Sequence, residues 1–239
     1  MRGIWSVVLL SIFSISKLPA QTVEHEGEFW GAYISSIRVT EKWAVWNDFH
    51  WATTSFFVSR HGLTYFFSPN LSASGGYAWV TTATSFSEKL IRDEHRPWGQ
   101  LVGNFWLSKE VSYQLRFRYD ARFRQKIEGQ EVLQDRLFYN RLRFMATLRI
   151  PVHTINSHTN VQLRIMDEIL YNAGGQIDNG IDQNRLYILP TFTYRNLSVL
   201  AGYHWRLIPS SGRTLNRHGL SFWVIHNMDF RKRINENWQ

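Results

Sequence analysis

The sequence predicts an all-β fold, an antiparallel β-barrel of ten to twelve strands with an Arg-rich inner face. Two observations carry the prediction. Bulky apolar residues recur at every second position in segments spread along the 239-residue chain, and no segment shows a 3.6-residue period. Clusters of turn-forming residues punctuate these segments.

The segment VSYQLRFRYDARFRQ, residues 111–125, shows the pattern most clearly. Val111, Tyr113, Leu115, Phe117, Tyr119, Ala121 and Phe123 occupy odd positions, and Arg116, Arg118, Asp120, Arg122 and Arg124 occupy even ones. A period of two belongs to a strand, whose successive side chains point to opposite faces. On a helix the four arginines would scatter around the axis.

Taken along the chain, the pattern places strands at 28–39, 43–53, 56–67, 72–83, 95–107, 111–125, 137–150, 160–172, 184–195, 197–208 and 217–230. Thr40-Glu-Lys42, Ser68-Pro-Asn70, Ser108-Lys-Glu110 and Arg195-Asn196 read as tight turns. Longer polar links are expected at Thr84–Asp93, Lys126–Arg136, Ala173–Gln183 and Pro209–Asn216. Short connections on one rim and long ones on the other are the layout of a transmembrane barrel. Eleven segments conflict with the even strand number usual in single-chain bacterial barrels. The expectation is therefore ten or twelve strands, with one hidden near Thr22–Phe29 or one of the eleven misdrawn.

Residues 1–20 read as a secretory signal peptide, with Arg2 before an apolar run from Ile4 to Ile15 and a small residue, Ala20, at the expected cut. Residues 21–239 form one barrel domain. Loss of Arg2 and Lys17 lowers the formal charge from +8 to +6. The absence of cysteine excludes disulfide staples, thiolate metal sites and a cysteine nucleophile. No later stretch is long and apolar enough for a membrane-spanning helix.

Whether the apolar face points in, as in a soluble lipocalin-like barrel, or out, as in a membrane barrel, is read from three features. Arginine occupies the strands, whereas Lys42, Lys89, Lys109, Lys126 and Lys232 sit at turns and tails. A flat, permanently charged fork suits a confined interior better than a solvated face. Aromatic residues gather beside the short turns: Trp43, Tyr65 to Phe67, Phe105, Trp106, Tyr113 and Tyr194. The last strand, HGLSFWVIHNMDF, aligns Leu220, Phe222, Val224, Met228 and Phe230 on one face, interrupted by His226. All three point to a transmembrane barrel in the cell outer membrane of a Gram-negative envelope. Asp167 would then share the lipid-facing row, an unfavourable position that a bulge or a place above the membrane would relieve.

The motifs SASGGYAWV (72–80), EHRPWGQL (94–101), QLRFRYDARF (114–123), YNRLRFM (139–145), DEILYN (167–172), DQNRLYI (182–188) and LAGYHW (200–205) occur in this order. Together, over about Trp30 to Phe230, they resemble the domain of unknown function 2490 family of predicted outer-membrane β-barrel proteins. The resemblance implies a location and a fold, and no catalytic residues.

The polar faces predict an inner network of Glu94, Arg96, Gln100, Arg116, Arg118, Arg122, Arg124, Arg141, Arg143, Glu168, Asn184 and Arg185. Such a network either interlocks as a structural plug or presents surplus positive charge to a small anionic solute. No enzyme activity, cofactor or metal is expected: no G-x-S-x-G, H-E-x-x-H or P-loop occurs. The rival classes are an outer-membrane lipid hydrolase, for which His204, His218 and Ser221, and Asn156-Ser-His158 at a turn, are candidates, and a soluble periplasmic binding barrel. His218 and Ser221, three apart on a strand, face opposite sides and cannot pair. Export argues against nucleic acid as a partner despite the basic pI of 9.9. The expected partners are outer-membrane lipid, lipopolysaccharide and, during biogenesis, the barrel assembly machinery.

Overall fold

A computed structural model describes residues 22–84, 87–174, 177, 180–210 and 212–231. The segment 1–20 expected to be a signal peptide lies outside these residues. Eleven strands form one closed barrel: β1 (Thr22–Arg38), β2 (Trp43–Ala52), β3 (Phe56–Ser68), β4 (Leu71–Thr84), β5 (Ser87–Trp106), β6 (Ser112–Glu128), β7 (Glu131–Asn156), β8 (Thr159–Ala173), β9 (Gly180–Tyr194), β10 (Leu197–Ser210) and β11 (Arg213–Asp229).

The expectation of ten or twelve strands is corrected to eleven. Consecutive strands pair antiparallel, but an odd number brings the first and last together in the same direction. β1 and β11 pair in parallel, from Thr22↔Arg213 to Arg38↔Asp229. The residues near Thr22–Phe29 extend β1 rather than form a separate strand.

Three of the four tight turns share one device. Thr40 Oγ1 accepts hydrogen bonds from the backbone N–H of Lys42 and Trp43, Ser68 Oγ from Asn70 and Leu71, and Ser108 Oγ from Glu110 and Val111. Each hydroxyl thus satisfies donors that the ladder cannot reach.

Two of the long links are not loops. β5, β6 and β7 run for 20, 17 and 26 residues, so Thr84–Asp93 and Lys126–Arg136 are largely strand. β9 begins at Gly180 and β11 at Arg213, which shortens the other two links as well. The difference between the rims therefore resides in strand length. Beyond the apolar band these strands alternate polar with polar, which hides their periodicity.

The pleat sets the two faces. Leu101, Phe117, Phe144, Phe192 and Phe222 point outward, and Leu63 is 55% exposed and Trp106 65%. Arg118, Asp120, Arg122, Arg141, Arg143 and Glu168 are buried. The inner wall is not wholly polar, since Val58, Ala78, Val80 and Trp98 form one buried apolar cluster and Met166, Tyr187, Leu189 and Leu200 another.

Around the outside, aromatics mark two levels. Near the short turns Trp43 packs on Tyr65, Tyr65 on Phe67, and Phe105 on Tyr113, with ring centroids 4.9 to 5.1 Å apart. Towards the other rim, phenols meet polar partners. The Tyr119 hydroxyl donates to Asn140 Oδ1 at 2.6 Å, Tyr203 Oη lies 2.6 Å from His218 Nδ1, and Tyr77 is bonded to His95.

Candidate functional site

The inner face is organised around six carboxylates. Glu94 on β5 accepts from Arg122 Nη2 at 2.5 Å and from Arg96 Nε at 2.7 Å. Asp120 on β6 meets Arg141 at 3.1 Å and Arg143 at 3.6 Å. Glu168 on β8 holds three cations, Arg116 at 2.6 Å, Arg143 at 2.7 Å and Arg185 at 3.5 Å. Asp182 bonds Arg141 at 3.1 Å. Asp48 takes Arg60 at 2.8 Å and His50 at 2.6 Å. Glu28 takes Arg206 at 2.7 Å, His204 at 3.0 Å and the Thr54 hydroxyl at 2.9 Å.

These contacts arise from strand register. Arg118 lies opposite Arg143, and Asp120 opposite Arg141. Glu94 lies opposite Arg124, one inward position from Arg122, and Glu168 opposite Arg185. Three of these four cross-strand pairs are of unlike charge, and Arg118 with Arg143 is the exception. A buried guanidinium is costly unless paired, and each carboxylate offsets that cost for one to three of them.

Of the residues expected to form the network, all but Asn184 face inward. Arg118 donates to Gln100 Oε1 at 2.5 and 3.0 Å and stacks on Trp98 at 5.0 Å. Arg122 and Arg124 flank the Tyr139 ring at 4.7 and 4.9 Å. Asn184 is corrected to the outer face. The register shift between Leu170 and Tyr171 sets Ile181 opposite Tyr171 but Gln183 opposite Leu170. Asp182 and Gln183 consequently both reach inward, to Arg141 and Arg206, while Asn184 points out and donates to Asp167 Oδ1 at 2.8 Å. This bond is also how Asp167 is accommodated: it remains on the outer face, with an amide rather than a bulge of its own.

The sequence reading missed Glu28, Asp182, His50 and Arg60 as network members. Glu28 shares the phase of Trp30, and His50 that of the strand acid Asp48, so alternation alone could have placed them. Asp182 was hidden by the bulge.

Surplus cations remain. Arg92, Arg124, Arg149 and Arg164 form no ion pair among the described residues, and the Nε of each is buried without a hydrogen-bond partner. All four line one cavity of about 400 Å³ inside the barrel.

One constellation bears on hydrolysis. Ser221 Oγ lies 3.0 Å from His204 Nδ1, whose Nε2 lies 3.0 Å from Glu28 Oε1. His218 is absent from it, because it faces outward to Tyr203. His204 is 0% exposed and Ser221 2%, and neither lines the cavity. Glu28 is also committed to Arg206 and Thr54. Ser221 is thus closed off from the cavity, and the relay ties β1, β10 and β11 together beside the parallel seam.

A family model for proteins of unknown function, DUF2490, matches residues 27–217. The chain belongs to the DUF2490 family. The DUF2490 match takes in the six carboxylates described above and stops within β11, before the aromatic-rich end of that strand. No curated protein and no solved structure matches the chain.

Proposed function

We propose that this DUF2490 protein is an integral outer-membrane β-barrel whose interior interacts with small anions. It is exported by a signal peptide over residues 1–20, inserted by the barrel assembly machinery and embedded in outer-membrane lipid and lipopolysaccharide, without catalytic activity or cofactor. The observation that carries this reading is the inverted distribution of polarity. Leucine, phenylalanine, tyrosine and tryptophan cover the outer wall, and the arginine–carboxylate network is buried inside.

In water such an outer surface is unfavourable, because contiguous apolar patches of more than a few hundred Å² promote association. Against lipid the same surface is at its lowest free energy, and a closed barrel leaves no unpaired strand edge in a medium that cannot satisfy one. The two aromatic levels match the girdles at the two interfaces of a membrane. A soluble lipocalin-like barrel would need the opposite arrangement. The anion preference follows from the arginines left without a carboxylate, since rings of Arg favour anions.

The test is cellular fractionation with heat-modifiable gel migration. The mature chain is expected in the outer-membrane fraction, running faster when folded than when boiled. A soluble periplasmic protein with unchanged mobility overturns the proposal.

A further inference from the structure

Two of the surplus arginines face each other. Arg149 on β7 and Arg164 on β8 are register partners, and both extend into the 400 Å³ cavity. Like charges directly opposite on neighbouring strands repel, and a confined guanidinium requires a counter-charge. Neither finds one among the described residues. Arg149 Nη1 donates only to the neutral Asn104 Oδ1, at 3.2 Å. The acid nearest along the inner face of β8, Glu168, is already shared by three other arginines. Beside the pair, the Thr147 hydroxyl is 3% exposed and without a hydrogen-bond partner.

We propose that Arg149, Arg164 and Thr147 form a binding site for a small doubly charged oxyanion of the phosphate or sulfate class. Two guanidinium forks present paired N–H donors that match two oxygens each, and the hydroxyl adds a further donor. A spherical monoanion neutralises only half of the charge and uses neither fork. The route to the site is on the short-turn side. A second cavity of about 450 Å³, reaching Arg38 and Asp229 at that rim, shares Gln114 and Arg116 with the first. The ligand is therefore a free oxyanion entering from the aqueous space at that rim, not a lipid headgroup held at the outer wall. The site rests on the anion-facing reading of the interior and does not require the membrane location.

Calorimetry on the full chain, folded in a non-ionic detergent, tests it with inorganic phosphate and sulfate at constant ionic strength. Saturable binding is expected for both and not for chloride. Arg149→Gln and Arg164→Gln should each weaken phosphate binding about tenfold or more, while Lys109→Gln, at an exposed turn, should leave it unchanged. Phosphate should also protect Arg149 and Arg164 of the unmutated protein from phenylglyoxal, a readout independent of whether a variant folds. Absence of saturable phosphate binding, undiminished binding in the double variant, or no protection overturns the site. Heat-modifiable migration of the same preparation reports separately on the barrel, so a properly folded membrane protein that ignores phosphate refutes the site alone.

Discussion

Replacing Glu168 by glutamine removes the carboxylate that holds Arg116, Arg143 and Arg185 at 2.6, 2.7 and 3.5 Å. Glutamine keeps the shape and one acceptor oxygen but not the charge. Arg143 retains Asp120 at 3.6 Å, whereas Arg116 and Arg185 have no other ion pair among the described residues. Glu168 is buried, so solvent compensates little. Breaking a buried pair by removing one partner costs about 3–5 kcal/mol. At roughly 2–4 °C per kcal/mol for a chain of this size, the thermal midpoint should fall by about 6–20 °C. The assay is urea or thermal unfolding of the barrel in lipid vesicles, followed by tryptophan fluorescence and gel mobility. The double variant Glu168→Gln/Arg143→Gln should recover part of the loss, because one uncompensated cation goes with the acid. A Glu168→Gln protein within about 1 kcal/mol of the parent, or a double variant no better than the sum of the singles, would refute the claim that charge pairing organises the interior.

Three further outcomes follow from the same geometry. Gly219→Ala should destabilise the barrel by about 3 kcal/mol or more in urea titrations, because the added Cβ would meet the Glu28 carbonyl oxygen, 1.7 Å away across the parallel seam. Gly27→Ala, in β1 itself, meets nothing within 4 Å and serves as the neutral control. Asp167→Leu should raise stability in lipid vesicles by about 1 kcal/mol, since an acid on a lipid-facing wall is unfavourable; a lower urea midpoint would argue that this wall meets water. In planar bilayers under a salt gradient, any current should reverse on the anion side, and a cation preference would remove the anion reading.

The strands were legible because their apolar residues alternate: Leu115, Phe117 and Tyr119 on one face and Arg116, Arg118 and Asp120 on the other needed no tertiary information. The closure was not. Whether β1 meets β11 in parallel depends on strands nearly 200 residues apart, and no local signal encodes it. The upper hairpins were missed for a different reason. Residues such as Glu128, Glu131 and Arg136 carry no apolar alternation, and only the pairing of β6 with β7 makes them strand. Within the network the phase runs unbroken at Arg116 to Arg124 and at Arg141 to Arg143, and there the alternate residues share one side of the pleat. One bulge near Asp182 displaced the phase and exchanged Asn184 for Asp182 and Gln183. The surplus arginines could be counted in the sequence, but which of them lack a carboxylate is a property of cross-strand register.

The central claim is that the apolar wall faces lipid and the arginines face inward. Because the chain contains no cysteine, single cysteines carrying a nitroxide can be placed without background at Leu101, Phe117 and Phe144 on the outer wall and at Gln114, Arg116 and Arg149 on the inner one. In reconstituted vesicles, collision with lipid-soluble oxygen should be high and with a water-soluble nickel chelate low at the three outer sites. Oxygen accessibility should be low at the three inner ones. Nickel collision at Leu101, Phe117 and Phe144 comparable to that of an exposed turn residue such as Lys109 would contradict the account.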